Sequence, residues 1–364
     1  MSSIWGKNIK ISVFGESHSG AIGVVIDGLP PGIRLDLKRV AASMKRRMPV
    51  LANYSTTRRE ADEVEIVSGF FNGYTTGTPL TGIIRNKDAH SADYEEMKNK
   101  PRPSHADLTG SLKYRGFNDY RGGGHFSGRL TAPIVFAGSV AEQWLAESGV
   151  HVGAHILSIG NATDTPFTDE IAADDIAALR RKDFAVLDDT AGQKMRDAIS
   201  GAKALEDSLG GVIECIAVGV PAGIGDPMFE SVESVVAGML FSIPAVKGIE
   251  FGAGFSIAQK KGSEANDAPA FRGGFLSYKS NNNGGVIGGI ANGMPVIFRA
   301  ALKPTPSIAA EQDTVDLSLK QNTKLNIKGR HDACIVPRAV EVLRCAFALC
   351  LADLMLEDKK YDRS

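Results

Sequence analysis

The sequence predicts an α+β protein folded as a single large domain spanning residues 1–364. Three observations carry that prediction. Strand-like alternation comes in groups separated by Gly, Pro and Asn turns. Two long apolar helix patterns, one after Ser127 and one after Cys334, each follow a turn rich in Arg and His. No Pro/Ser-rich linker divides the chain. The repeated turn-then-helix order hints at a duplicated plan, but no internal sequence repeat is strong enough to assert one.

Taken in order, Ile9–Phe14 alternates as a strand and ends in the turn Gly15-Glu16-Ser17-His18-Ser19-Gly20. Val24–Ile26 resumes strand character and stops at Asp27-Gly28. Asp36 is a predicted N-cap, followed by a helix with Leu37, Val40, Ala41, Met44 and Met48 on one stripe. Lys45, Arg46 and Arg47 fall in its last turn, where cations suit either the helix dipole or a bound anion. Val64–Val67 and Leu80–Ile84 read as strands around a turn at Gly73–Thr78. Ser127 or Thr131 starts the first long helix, with Pro133 in its first turn and an end near Gly149. Val150–Ile159 alternates and puts His151 and His155 on one face, but no third ligand lies within reach and no metal is expected. Helices are predicted over 169–181, 189–205 and 230–241, and strands over 211–220, 246–251 and 295–302. Gly284–Ile290 reads as a glycine-rich strand whose bare backbone invites close approach, by a flat ring or by a helix. Ala339–Leu356 contains Glu341, Arg344 and Asp353, so it is a core helix and not a membrane span.

Bulk composition excludes several classes. Hydrophobic content of 43% and charged content of 23% are ordinary for a globular protein. A formal net charge of −1 argues against a nucleic-acid or membrane-surface partner. The four cysteines, Cys215, Cys334, Cys345 and Cys350, form no CxxC pair and are expected to be reduced, buried thiols of a cytoplasmic protein. Nothing at the N-terminus resembles a signal peptide.

Against this neutral background one polar stretch, Arg102–Pro133, stands out. It holds Arg102, Arg115, Arg121 and Arg129, His105 and His125, and the run Gly122-Gly123-Gly124, and it has little apolar periodicity before Leu130. Glycine turns and guanidinium forks ahead of a helix N-terminus suit an anion. The alternative is a solvated loop whose arginines pair with surface acids. With Arg46, Arg47, Arg58 and Arg59, arginine is concentrated in the first third of the chain, so convergence would make a strongly positive pocket. Walker A, GxGxxG, GxSxG and HExxH patterns are all absent, which argues against P-loop kinases, dinucleotide dehydrogenases, α/β-hydrolases and zincins. What remains are turns that pair a base with a hydroxyl or an acid: Ser17-His18, Arg102–His105, Ser127–Arg129 and Arg330–Asp332. A histidine among arginines resists protonation, and a substrate phosphate nearby would supply the charge that reverses this.

Eight segments resemble the chorismate synthase family, in family order. They are Gly15–His18, Asp27–Gly32, Arg102–Asp107, Asp119–Gly124 with Ser127–Arg129, Ala245–Gly248, Gly288–Ile290, Lys303–Thr305 and Gly329–Asp332. The resemblance implies helices packed between β-sheets, a β-α-β sandwich, assembled as a homotetramer. It implies a lyase that converts 5-enolpyruvylshikimate 3-phosphate into chorismate and phosphate by 1,4-anti elimination. Reduced FMN would be required without net redox change, with NADPH acting indirectly through an external flavin reductase. By resemblance, Arg47, Arg102, Arg129 and Arg330 would meet ligand anions, and His18 would be the acid toward departing phosphate. His105 would manage a proton near the flavin. Asp332, with Ser17 and Ser127, would tune or relay the proton that flavin N5 removes. FMN contacts would fall to His125, Phe126, Ser127, Pro244, Ala245, Gly288, Lys303, Thr305, Ser307 and Arg330. The chain departs from the family pattern at Asn53, His125, Gly128 and Ala333. Two rival functions share these features: a flavin reductase using NADPH, and a non-enzymatic phosphate-ligand binder.

Overall fold

The computed structural model describes residues 3–49, 62–86, 96–327 and 332–358. The first half supplies β1 (Ile4–Trp5), β2 (Lys10–Gly15), β3 (Ala21–Asp27), α1 (Leu37–Arg47), β4 (Val64–Ser68), β5 (Phe70–Phe71), β6 (Tyr74–Thr75) and β7 (Leu80–Arg85). It continues with α2 (Asp107–Tyr114) and α3 (Thr131–Glu147). The next stretch holds β8 (His151–Ile159), β9 (Ala162–Thr163), α4 (Ala173–Leu179), α5 (Asp189–Ala204), β10 (Gly211–Val218), α6 (Val232–Phe241) and β11 (Val246–Phe251). Last come α7 (Gly262–Ala265), β12 (Pro269–Arg272), β13 (Phe275–Tyr278), β14 (Val286–Ile287), β15 (Ile290–Ala291), β16 (Val296–Leu302), β17 (Gln312–Asp316), β18 (Gln321–Leu325) and α8 (Val336–Asp358).

Two antiparallel five-stranded sheets result, ordered β1-β2-β3-β7-β4 and β11-β16-β10-β8-β9. α3 packs on β3 and β7 of the first sheet, α8 packs on β8 and β10 of the second, and the two helices pack on each other. The helices therefore lie between the sheets, as expected. Sequence explains why these two are central. α3 is buried at every residue from Thr131 to Leu145, and α8 at almost every residue from Ala339 to Met355. A helix apolar on all sides can be stable only inside. Gly138 sets their spacing: a Cβ there would lie 2.2 Å from the Cys345 carbonyl oxygen, so a larger residue would force the helices apart.

Charge inside this helical layer is paired, two glutamates serving three arginines. Arg344, buried among α1, α3 and α8, pairs with Glu341 at 2.7 Å and Glu142 at 2.8 Å. Arg180 pairs with Glu142, and Arg46 pairs with Glu341 at 3.3 Å. Burial works against the Glu341 carboxylate, but Arg344 and Arg46 hold it down at about 2. All four cysteines are buried and free. No helix among the described residues is long and apolar enough to cross a membrane.

Several sequence expectations change. The strand expected over Gly284–Ile290 is a hairpin, β14 and β15, with Gly288 and Gly289 at φ of 64° and 88° in the turn. Positive φ at both central residues is what a tight hairpin demands. The close approach expected there comes from the chain itself: added Cβ atoms at Gly284 and Gly285 would meet the backbone of Gly252 and Pro295 at 2.4 Å. The turn expected at Gly73–Thr78 includes the strand β6, paired with β5. The helix expected over 169–181 shrinks to Ala173–Leu179, with its start closed where the Ala172 amide donates to Asp175 at 2.9 Å. β8 alternates in sequence yet is covered on both faces. Gly153 packs on Ile176 of α4, and His155 shares that face.

Candidate active site

The charged residues singled out in the sequence meet at one end of the helical layer. A cavity of about 1060 Å³ opens there, among the end of α1, the start of α3, the α6–β11 loop, the start of α8 and the loops at 102–106 and 303–307. That is the upper end of what small-molecule sites span, and enough for two ligands side by side.

α1 delivers Arg47 from its last turn, after Asp36 caps its start by accepting from the Lys38 amide. The Ser127 side chain caps a short 3-10 turn, Gly128–Leu130, that carries Arg129 and runs straight into α3. Both helix starts proposed from sequence are therefore used, in series. Arg47 and Arg129 are buried, and both pair with buried Asp62, Arg47 through Nε at 3.0 Å. Burial lowers the Arg47 guanidinium to about 10, with Arg338 and Arg129 pushing the same way and Asp62 opposing. Burial also disfavours the charge on Asp62, yet the two arginines keep its carboxyl below the ordinary range.

A second cluster lies on the 102–107 loop. Asp107 accepts from Arg102 through Nε at 2.7 Å and Nη2 at 2.8 Å, and Arg102 Nη1 donates to Ser307 Oγ at 3.2 Å. His105 Nδ1 lies 2.6 Å from Oδ1 of the same carboxylate, the oxygen that also accepts from Arg102 Nη2. Burial opposes the Asp107 charge, but hydrogen bonds from Arg102 and His105 hold it well below the usual carboxylate range. A carboxylate can only accept, so Nδ1 carries the proton toward Asp107 and Nε2 is left open. No described residue bonds Nε2.

The run Gly122–Gly124 passes beside both proposed proton-handling rings, with φ of 60°, 82° and 54°. A Cβ at Gly122 would fall 2.5 Å from the His18 ring and 2.8 Å from Ser17 Oγ, and one at Gly123 would fall 2.9 Å from His105. Only glycine fits here, on conformation and on space. Gly122 is on the cavity wall, with Ser17 and His18 buried behind it. Ser17 Oγ is buried without a hydrogen-bond partner among the described residues, the kind of atom that a bound ligand or water completes.

The wall also includes His105, His125, Phe126, Ser127, Pro244, Ala245, Lys303, Thr305, Ser307 and Asp332, all singled out from sequence. His125 Nδ1 meets the Gly15 carbonyl at 2.8 Å and Nε2 meets Ser3 Oγ at 2.8 Å, which ties the glycine run to the first sheet. Gly288 does not line this cavity; it stands in the β14–β15 turn. Arg330, Asn53, Arg58 and Arg59 lie outside the described residues. Arg46 turns to Glu341, Arg121 to Asp119 at 2.7 Å, and Arg115 is exposed at the end of α2, so none of these three joins the cluster. His155 is no metal ligand: Asp164 at 3.2 Å and Glu214 at 3.1 Å take its two nitrogens.

Four residues escaped the sequence reading. Asp62 and Asp107 anchor the arginines, Arg338 bonds Asp332 and the Arg47 carbonyl, and Lys247 faces the cavity. Asp107 and Lys247 sat inside quoted motifs; Asp62 and Arg338 carried no local signal.

The donor set suits a flavin mononucleotide beside an anionic ring. Lys303 and Lys247 are close enough that burial, then Lys247, lowers the Lys303 ammonium. Two such cations with the Thr305 and Ser307 hydroxyls suit a phosphate, and Ile134, Met239, Ile335 and Val342 add apolar lining.

A family model described as chorismate synthase matches residues 9–356. A chorismate synthase from Thermococcus gammatolerans is 46% identical over 357 residues, covering 98% of each chain. One from Korarchaeum cryptofilum is 44% identical over 358 residues, again covering 98% of both. A solved structure, "Crystal Structure of Chorismate Synthase", superposes with a TM-score of 0.76 at 27% identity, covering 97% of this chain and 93% of that one.

Proposed function

Since the chain belongs to the chorismate synthase family and is a lyase acting on a phosphate, we propose that it converts 5-enolpyruvylshikimate 3-phosphate into chorismate and inorganic phosphate. The reaction is a 1,4-anti elimination: one C–H and one C–O bond break, a C=C bond forms, and phosphate leaves. The single observation that carries the reading is the convergence of Arg47, Arg102, Arg129 and Lys303 on one cavity in a chain of net charge −1. The substrate brings a phosphate and two carboxylates, and guanidinium forks bind such groups bidentately.

Reduced FMN, when bound, supplies the electron density that eases loss of phosphate and recovers it afterwards, so no net oxidation occurs. The protein does the rest. Arg47, Arg102 and Arg129 orient the substrate anions. Phe126, Ser127, Pro244, Ala245, Lys303, Thr305 and Ser307 hold the cofactor, with His125, Gly288 and Arg330 assigned to it on family pattern. His18 gives a proton to the departing phosphate. His105, its Nδ1 fixed on Asp107, holds or releases a proton at Nε2. Asp332, clamped by Arg338, works with Ser17 and Ser127 to relay the proton that leaves the substrate ring. The reading treats the whole chain as one chorismate synthase-like domain, working in the cytoplasm as a homotetramer. FMN is reduced elsewhere, by an external reductase that uses NADPH.

The test is an anaerobic assay with chemically reduced FMN and no NADPH, read by phosphate release. Chorismate and phosphate in equal amounts are expected. A strict need for NADPH would favour an intrinsic reductase, and substrate recovered unchanged would favour a binding protein. Flavin titrations sharpen the result: oxidised FMN should bind weakly alone and much more tightly with substrate present. Equal affinity in both would contradict a shared cavity.

A further inference from the structure

We propose that Asp62 is a positioning residue that joins Arg47 and Arg129 into one rigid anion fork. The inference rests on the lyase reading above, because the fork's occupant is taken to be an anionic group of the substrate.

The three residues come from separate elements: the end of α1, the chain just before β4, and the turn before α3. Arg47 gives both Nε and Nη2 to Asp62 Oδ2, and Arg129 gives Nη1 to Oδ1, so one carboxylate spans two guanidiniums. Asn86 Oδ1 accepts from Arg129 Nε at 3.1 Å and fixes the second arginine from another side. All three side chains are buried.

The placement separates two roles for this acid. A carboxylate that mimics the substrate would occupy the cavity and have to leave. Arg47, Arg129 and Thr131 line the cavity, whereas Asp62 does not. It stands behind the arginines, engages their inner edges, and turns Arg47 Nη1 toward Thr131 Oγ1 on the wall, 3.5 Å away. The fork is therefore set before the substrate arrives, and preorganised donors bind without reorganising.

Removing the charge would leave two buried cations facing each other. Arg47 already sits low, and the charged groups around it are Asp62, Arg129 and Arg338, the last paired with Asp332. Without the carboxylate, Arg47 would lose its proton at lower pH and the two guanidiniums would draw apart.

The test compares wild type, Asp62→Asn and Asp62→Glu from pH 7 to 10, in the anaerobic assay with chemically reduced FMN. Binding of 5-enolpyruvylshikimate 3-phosphate by calorimetry and thermal melting run in parallel. Asp62→Asn should raise KM and the calorimetric Kd by about 10-fold or more, with a smaller change in kcat. Its alkaline fall in kcat/KM should begin at lower pH than in wild type. Asp62→Glu should recover part of both effects. If Asp62→Asn does not fold, Asp62→Glu alone decides, through a raised KM at a nearly unchanged melting temperature. A variant that melts earlier but keeps the wild-type KM and alkaline limb makes Asp62 a packing residue and overturns the proposal. Tighter binding in Asp62→Asn makes it a competitor and overturns it too. If wild type binds substrate without turning it over, the lyase reading fails while the binding arm still judges Asp62. If wild type neither binds nor reacts, both fail.

Discussion

Two histidines in this molecule sit against carboxylates and have opposite fates. His155, on β8, is completely buried and closed at both ends, with Asp164 on Nδ1 and Glu214 on Nε2. Phe167 packs edge-on against its ring at 4.4 Å. His105 is closed at one end only, with Nδ1 against Asp107, and keeps Nε2 for the cavity. A ring bonded at both nitrogens to acceptors donates twice only as an imidazolium, so its surroundings favour that form and it holds structure together. A ring bonded at one nitrogen has a fixed orientation and a free proton site, which is the arrangement acid–base chemistry requires. Pairing with an acid does not distinguish the two roles; the second nitrogen does.

Exchanging the effects of the two residues would break the comparison. The largest effect belongs to the open ring: His105→Ala should lower turnover by about 10²–10⁴ and barely move the melting temperature. The same loss is expected for His18→Ala, and near-normal turnover in both would remove their acid–base roles. Next is the closed ring. His155→Ala strands two buried carboxylates and should cost about 3–5 kcal/mol in denaturant melts. The folded fraction should keep its KM and kcat, and a lowered kcat with intact stability would reverse the assignment.

The smallest effect is a pH dependence of stability. Burial opposes charge on His155, but its bonds to Asp164 and Glu214 outweigh this and raise its pKa above the ordinary 6.5. Its stabilisation is therefore complete below about pH 6.5 and disappears as pH rises through the raised value. Asp164 and Glu214 are held below ordinary carboxylate values and contribute above about pH 4.5. They lose that contribution as pH falls through their lowered values. Wild type should thus weaken on the alkaline side with a slope of at most about 1.4 kcal/mol per pH unit. His155→Gln should flatten that slope, and an unchanged slope would place the titrating group elsewhere.

Legibility in the sequence followed the range of the interaction. α1, α3, α8 and the β2–β3 pair were readable because periodicity and caps are local. Arg102 and Arg129 were readable as members of one site because arginine is unusual among glycine and serine ahead of a helix; Arg47, at the end of α1, joins them on the same cavity wall without that signal. Asp62 was not: it bridges residues 15 positions before it and 67 after it, and no local pattern records that. Neither was the covered outer face of β8, which depends on how the 164–188 segment folds back over it. The Gly284–Ile290 stretch misled because glycine spacing alone does not separate a strand from a turn; positive φ at Gly288 and Gly289 does.

The wall at Gly122–Gly124 has one more consequence, for inhibition. A compound that hydrogen-bonds to the bare backbone of Gly122 would meet a surface on which escape by substitution is closed. Any side chain at Gly122 or Gly123 would strike the His18 or His105 ring, so a substitution there would have to displace one of those rings. Groups aimed at Lys303 or Lys247 leave more room for escape, because flexible ammonium stems tolerate exchange better than a surface that has no side chain to change.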